Sequence, residues 1–203
     1  MPNLIVIEER EVIAKGLNKN QTIDQEKVRS FFFDDEYENI SLLNLNLSIK
    51  DSPILFYPGS GSDILTPLHY LKIFPGIKNI TFIFIDKSDN LGSIKTILDD
   101  IGVSFEEAEN TIKFYWNNIL INLNFIRNNI FTAELPNFDI YFEKSFRAMK
   151  SEHLEYEYNI YHQLSSNGLV ISDSGFQHLK LANIDVPKEL SIYQEMIIGR
   201  KVI

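Results

Sequence analysis

The stretch Ile54-Leu-Phe-Tyr-Pro-Gly-Ser-Gly-Ser-Asp63 breaks a short apolar run with a proline, two glycines and small hydroxylated residues. Residues 64–71 follow it and suit a helix. Strand, glycine-rich turn and helix together form a cradle for a nucleotide-like ligand. Gly59 and Gly61 permit unusual dihedrals and let a ligand approach the main chain. Free N–H groups at a helix start attract negative or electron-rich groups. Tight turns also use glycine for steric reasons alone, so the turn by itself leaves both readings open. Later apolar runs each end near a carboxylate: Asp86 after residues 80–85, Glu143 after 138–142, Asp173 after 169–171. Asp86 stands 25 residues beyond Gly61. It is placed to accept both hydrogen bonds of a ribose diol or to cap the helix that follows. Glu143 and Asp173 are candidate general bases, or else strand-end carboxylates and caps.

These residues need strands to bring them together. The run 80–85 is nearly continuous in β-branched and aromatic residues, as a strand buried on both faces requires. Residues 54–57, 138–142 and 169–171 read as further core strands, and 111–116 and 119–125 as a pair joined across Asn117-Asn118. Leu91, Ile94, Ile97, Leu98 and Ile101 have helical spacing, and Gly102 ends that helix. A helix over 151–164 is expected to present Leu154, Tyr158, Tyr161 and Leu164 along one stripe and to close at Asn167-Gly168. Residues 195–202 suit a final strand. Strands alternating with helices predict an α/β fold with a mostly parallel sheet, whose ligand lies at the carboxyl ends of the strands.

Upstream, Leu4 to Ile7 reads as a short edge strand or anchoring segment. Asp24 is placed to cap a helix over 25–33, Asp34-Asp35-Glu36 begins a helix or turn, and 42–49 alternates like a strand. Residues 1–52 are thus expected to form a capping extension on a domain of 53–203, shaping one side of a pocket.

The chain has 203 residues, 44% of them hydrophobic, enough for one packed domain. Its net charge of −9, without a local basic cluster, disfavours extended nucleic-acid binding. The absence of cysteine excludes disulfides, thiolate zinc sites and cysteine nucleophiles. The four histidines lack the spacing of a zinc motif, so no metal is expected; His69, near the turn, is a candidate ligand contact. No apolar run approaches a membrane span and the first residues do not form a signal peptide, so a cytoplasmic location is expected.

The turn Tyr57-Pro-Gly-Ser-Gly-Ser-Asp63, the Phe82-Ile-Phe-Ile-Asp86 and Phe138-Asp-Ile-Tyr-Phe-Glu143 strand ends and the Glu195-to-Val202 run resemble class I S-adenosylmethionine-dependent methyltransferases. The likeness covers roughly 53–203. It implies a Rossmann-like, mostly parallel seven-stranded sheet with helices on both faces and an antiparallel last strand. It also implies that S-adenosylmethionine lies against Tyr57, Gly59, Ser60, Gly61 and Asp63, with Asp86 on the ribose and Asn128 or Asn129 near the adenine. The chain departs from the family at Tyr57, where an acid is common, and at Asp63, near a common third glycine. Asp63 either replaces the missing acidic partner of the cofactor ammonium or caps the next helix. Residues 142–145, Phe-Glu-Lys-Ser, lack the signature of enzymes that methylate amino groups of bases or glutamine. The function implied is methyl transfer to a small-molecule or protein acceptor.

Two other readings compete. A Rossmann-like protein that has lost its chemistry would use the acidic surface to hold a basic protein partner, as an immunity protein does. A nicotinamide-dependent oxidoreductase also needs glycines followed by a strand-end acid, but Ile64 stands where its third glycine belongs.

Overall fold

The computed structural model describes residues 7–33, 35–177, 180–191 and 194–202. The chain opens with an extended segment and two short helices, α1 (Gln25–Ser30) and α2 (Glu36–Ser41). Strand β1 (Ile54–Pro58) leads through the glycine turn to α3 (Leu65–Tyr70), β2 (Asn79–Asp86) and α4 (Leu91–Asp100). Then come β3 (Phe105–Ala108), β4 (Thr111–Trp116), β5 (Ile119–Arg127), β6 (Phe138–Glu143), α5 (Arg147–Ser151) and α6 (Tyr156–Gln163). Strands β7 (Leu164–Ser172), β8 (Leu181–Ile184) and β9 (Ile197–Lys201) complete it.

All nine described strands form one sheet in the order β3-β4-β5-β2-β1-β6-β7-β9-β8. The core of it, β5-β2-β1-β6-β7, is parallel throughout. Strand β9 runs antiparallel to both β7 and β8. The expected count of seven strands is corrected to nine among the described residues: β3 adds to the β4 edge and β8 to the β9 edge, both antiparallel. Strands β1, β2 and β5 step to one side, and the chain then returns to β6 on the other side of β1. The strand order therefore reverses between β1 and β6, and a crevice opens there at the carboxyl ends.

Both faces of the sheet are covered, which is why its central strands are apolar on successive residues. On one face Leu55 and Tyr57 of β1 pack with Ile94, Ile97 and Leu98 of α4 and with Leu65 and Leu68 of α3. On the other, Phe56 packs with Phe138, Tyr141, Phe146 and the α6 residues Tyr156 and Ile160.

The amino-terminal segment belongs to the first face. Val28, Phe32, Ile40 and Leu43 are buried in it. Arg10 pairs with Asp99 and Asp100, Lys15 pairs with Asp99, and the Gly16 N–H donates to the Phe105 carbonyl at 3.0 Å. Residues 42–49 keep their alternation, with Leu43 inside and Leu45, Leu47 and Ile49 half-buried, but they join no strand. The expected strand there is corrected to an extended segment lying on the core; its Leu47 N–H donates to the Ile73 carbonyl at 2.8 Å and its Ser48 carbonyl accepts from Arg200 at 3.0 Å. Helix α1 begins as expected, with the Asp24 carboxylate accepting the Lys27 N–H at 3.1 Å, and stops at Ser30 rather than residue 33. Leu4 to Val6, and Asp34, lie outside the described residues.

The helix expected over 151–164 forms only at Tyr156–Gln163; residue 151 ends α5 and Leu164 begins β7. Leu154 is 97% exposed and Tyr158 63%, so the stripe drawn through them is wrong. Tyr156 and Ile160, four apart, face the core instead. Closely spaced tyrosines gave two stripes of equal spacing, and only packing on β6 and β7 distinguishes them. Asn167, at φ 62, and Gly168 do not end a helix; they form an irregularity within β7, beside the register shift against β6. Among the described residues no helix is long and apolar enough to cross a membrane.

Candidate functional site

The glycine turn leaves β1 at the switch in strand order. Gly59 and Gly61 both adopt positive φ, 59° and 54°. The Gly59 N–H donates to the Ile85 carbonyl at 2.8 Å, which ties the turn to β2. Asp86, at the end of β2, accepts the Gly61 N–H at 3.0 Å through Oδ2 and the Ser88 N–H at 2.8 Å through Oδ1. It does not cap α4, which starts behind Asn90. Each carboxylate oxygen retains a second lone pair, so a diol donor is still accommodated.

The two glycines differ in what they face. Nothing lies within 4 Å of the position a Gly61 Cβ would take. A Cβ on Gly59 would meet the Phe146 ring at 2.7 Å. Phe146 is fully buried, stacked on Phe131 at 5.9 Å between ring centres, and it closes that side of the turn. The two glycines therefore differ in the direction a Cβ would take: at Gly61 it meets open space, and at Gly59 it meets Phe146.

Two cavities adjoin at this end of the sheet. One, of about 300 Å³, lies against Gly59, Ser60, Ser62 and Asp63, under Phe31 and Phe33. The second, of about 380 Å³, lies between Tyr70, Phe142, Glu36 and Asp173. Phe33, Lys144 and Ser145 line both.

Polar groups around the shared wall are paired tightly. Asp63 accepts the Thr66 N–H at 3.1 Å and the Tyr57 hydroxyl at 3.0 Å, so it secures the first turn of α3. Burial, reinforced by Asp63, raises the Tyr57 phenol well above its ordinary pKa and keeps it protonated. Lys144 pairs with Glu36 at 2.6 Å, donates to Thr66 Oγ1 at 3.2 Å and lies 3.9 Å from Asp63. Burial pulls the lysine down, but Asp63, Glu36 and Asp173 outweigh it and raise its pKa. Burial raises the Glu36 carboxyl despite Lys144. Burial also raises Asp173, whose two oxygens accept the Ser145 N–H at 3.0 and 2.9 Å.

Of the remaining expected residues Glu143 reaches the wall of the second cavity, and Asn128, Asn129 and His69 line neither. Glu143 is buried and its carboxylate is occupied. It accepts from Tyr141 at 2.5 Å, Ser174 at 3.1 Å, Ser172 and Lys150, and Lys150 also pairs with Glu157 at 2.9 Å. Asn128 donates its N–H to the Asp86 carbonyl at 2.8 Å, joining the ends of β5 and β2. Asn129 shapes the next turn, accepting the Phe131 N–H at 3.2 Å. Neither asparagine lines the two cavities. His69 bonds Ser41 Oγ at 3.0 Å and the Tyr37 carbonyl at 3.2 Å, and it stacks on Tyr37; burial lowers its pKa. It joins α2 to α3. His178 lies outside the described residues.

Sequence reasoning missed Glu36, Tyr70, Lys144, Phe146 and Lys150. Lys144 alone carried a signal, as the residue next to a strand-end acid. The others reach the site through tertiary packing.

No protein-family model and no curated protein matches the chain. Among solved structures it is similar to YjhP from E. coli, with 16% identity and a TM-score of 0.43 over 70% of this chain and 49% of that one. It is similar to the pyocyanin biosynthetic protein PhzM, with 13% identity and a TM-score of 0.47 over 83% and 54%. It is similar also to human N-acetylserotonin methyltransferase, with 20% identity and a TM-score of 0.38 over 68% and 33%. The chain spans about half the length of the first two, at 49% and 54%, and a third of the last, at 33%.

Proposed function

We propose that the protein is an S-adenosylmethionine-dependent methyltransferase acting on a small-molecule acceptor. The observation that carries this reading is the pair of adjoining cavities at the strand-order switch. One lies against Gly59, Ser60 and Ser62 of the glycine turn and the other against Asp173, with Lys144 and Ser145 lining both. A group-transfer enzyme needs such an arrangement, since in-line placement of donor and acceptor supplies much of the rate.

In this reading Tyr57, Gly59, Ser60, Gly61 and Asp63 form the cofactor side, Asp86 takes the ribose hydroxyls, and Asn128 and Asn129 border the adenine. The bound cofactor supplies an activated methyl group on a sulfonium. The protein positions the acceptor and receives its proton where the nucleophile must lose one. Asp173 is the base, because its cavity adjoins the turn and its raised pKa makes it a better proton acceptor than an ordinary aspartate. Glu143 is a positioning residue that anchors Ser172, Ser174 and Lys150 beneath that base. Residues 1–52 act as a cap on 53–203, supplying Phe31, Phe33 and Glu36 to the cavity walls.

Calorimetric titration with S-adenosylhomocysteine tests the reading. Saturable binding is expected, weakened in Asp86→Ala. No binding to the parent chain overturns it. One observation favours a second reading, a binding protein that takes no cofactor: the Phe146 ring fills the face of Gly59. The same titration separates the two.

A further inference from the structure

We propose that the cavity between α2, α3 and the carboxyl ends of β6 and β7 binds an amine with a compact apolar body, held as its ammonium ion. The inference deepens the methyl-transfer reading by naming the acceptor class, and in that respect it rests on it.

The cavity has two kinds of wall. Phe33, Tyr70, Phe142, Ile171, Leu190 and Met196 make an apolar pocket of about 380 Å³, room for one aromatic or branched aliphatic group. Asp35, Glu36, Asp173 and Glu189 stand around it, and Lys144 is the cation among its lining residues. Glu143, also in the wall, is neutralised by Lys150. Four carboxylates against one lysine leave a net charge of −3. Lys144 is spent on Glu36. Asp173 is held by a backbone N–H, which fixes its direction without neutralising it. A cation is therefore favoured over a neutral molecule, and an anion is disfavoured by both desolvation and repulsion.

Tyr70 gives an independent indication. Its ring is buried in the wall, and its hydroxyl donates to Met196 Sδ at 4.0 Å, a weak acceptor, with no other partner among the described residues. The phenol oxygen can also accept, so its lone pairs are available to a donor in the cavity. An N–H donor seated in the cavity would satisfy it. The faces of Tyr70, Phe142 and Phe33 offer a cation further attraction.

The test uses the whole protein and three probes of matched shape: 2-phenylethylamine, 2-phenylethanol and 3-phenylpropionate. Binding is followed by calorimetry and by tryptophan or backbone NMR, with and without S-adenosylhomocysteine. The amine is expected to bind at least tenfold more tightly than the alcohol, and the acid not at all. Asp173→Asn and, separately, Glu36→Gln are expected to reduce the amine preference several-fold, and Tyr70→Phe to weaken both the amine and the alcohol, each of which can donate to the phenol oxygen. Equal binding of amine and alcohol, or tighter binding of the acid, overturns the proposal. Because the probe series is read on the parent chain, a variant that fails to fold leaves the answer intact. S-adenosylhomocysteine binding without amine preference defeats this inference alone; amine preference without S-adenosylhomocysteine binding supports the amine site and defeats methyl transfer.

Discussion

The Asp86 carboxylate accepts the Gly61 N–H at 3.0 Å, which joins the end of β2 to the glycine turn 25 residues earlier. The acid thus shapes the turn as well as standing beside it. Asp86→Ala is expected to destabilise the fold by about 1–2 kcal/mol, since two backbone donors lose their acceptor. It is expected to weaken S-adenosylhomocysteine by about tenfold or more through unpaired ribose hydroxyls. Urea titration reads the first effect and calorimetry the second. Unchanged affinity in a folded variant removes Asp86 from the cofactor site.

Gly59 and Gly61 share a backbone conformation but not a neighbourhood, so alanine scanning separates strain from space. Gly61→Ala meets open space and carries only the positive-φ penalty, about 1–2 kcal/mol. Gly59→Ala carries that penalty and a collision with Phe146. Thermal unfolding is expected to place Gly59→Ala clearly below Gly61→Ala. For ligand binding the order is expected to reverse: a methyl on Gly61 projects into open space where a ligand would lie, while a methyl on Gly59 projects toward Phe146.

Phe146 is the lever between the two functional readings. Phe146→Ala is expected to cost about 3–5 kcal/mol, as removal of a fully buried ring does. If the ring competes with cofactor for the turn, the surviving folded fraction binds S-adenosylhomocysteine more tightly than the parent. Phe146→Leu retains more of the packing and is the companion variant. Weaker binding in both refutes competition at Gly59.

Glu143 and Lys150 form a buried ion pair whose members also hold Ser172, Ser174, Gly175 and Tyr141. Removing one charge strands the other, so Lys150→Met alone is expected to destabilise by about 3–5 kcal/mol. The double change Lys150→Met with Glu143→Gln is expected to cost less than the sum of the two single changes. A chemical-denaturation double-mutant cycle measures the coupling.

Asp173 and Glu36 both have raised pKa values in the folded protein. For stability the sign is the reverse of the usual carboxylate case. Their contribution is fully present below the unfolded values near 3.8 and 4.5 and is lost as pH rises through the raised folded ones. For an ammonium ligand the sign is opposite, because the site must be ionised. Affinity for 2-phenylethylamine is expected to rise with pH through that same interval and to level off once both acids are charged. Glu143, Asp63 and Lys144 bear on these two acids and move the interval without changing its direction. Affinity that falls as pH rises from 4 to 7 contradicts the assignment.

The sheet was legible because its strands are long apolar runs ended by glycine or acid. Residues 80–85 and 138–142 lie within strands observed at Asn79–Asp86 and Phe138–Glu143. β3 and β8 were not legible: Phe105-Glu-Glu-Ala and Leu181-Ala-Asn-Ile carry too few inward residues, and they pair only because a longer strand lies alongside. For the site, strand-end acids marked the right end of the sheet, yet nothing local announced that Glu143 turns inward to a lysine or that Phe146 folds back on Gly59. Glu36 and Tyr70 come from elements with no motif at all. Such partners are chosen by which helix lies over which strand end, information spread along the whole chain.

The place of β9 has a kinetic consequence. It is inserted between β7 and β8, so β8 leaves the ribosome before the neighbour that anchors it exists. Until β9 arrives, Met196, the residue before it, is not held beside Tyr70, and the proposed amine cavity lacks one side. Non-local pairings of this kind form slowly. Refolding is expected to restore the central strands first and probe binding last.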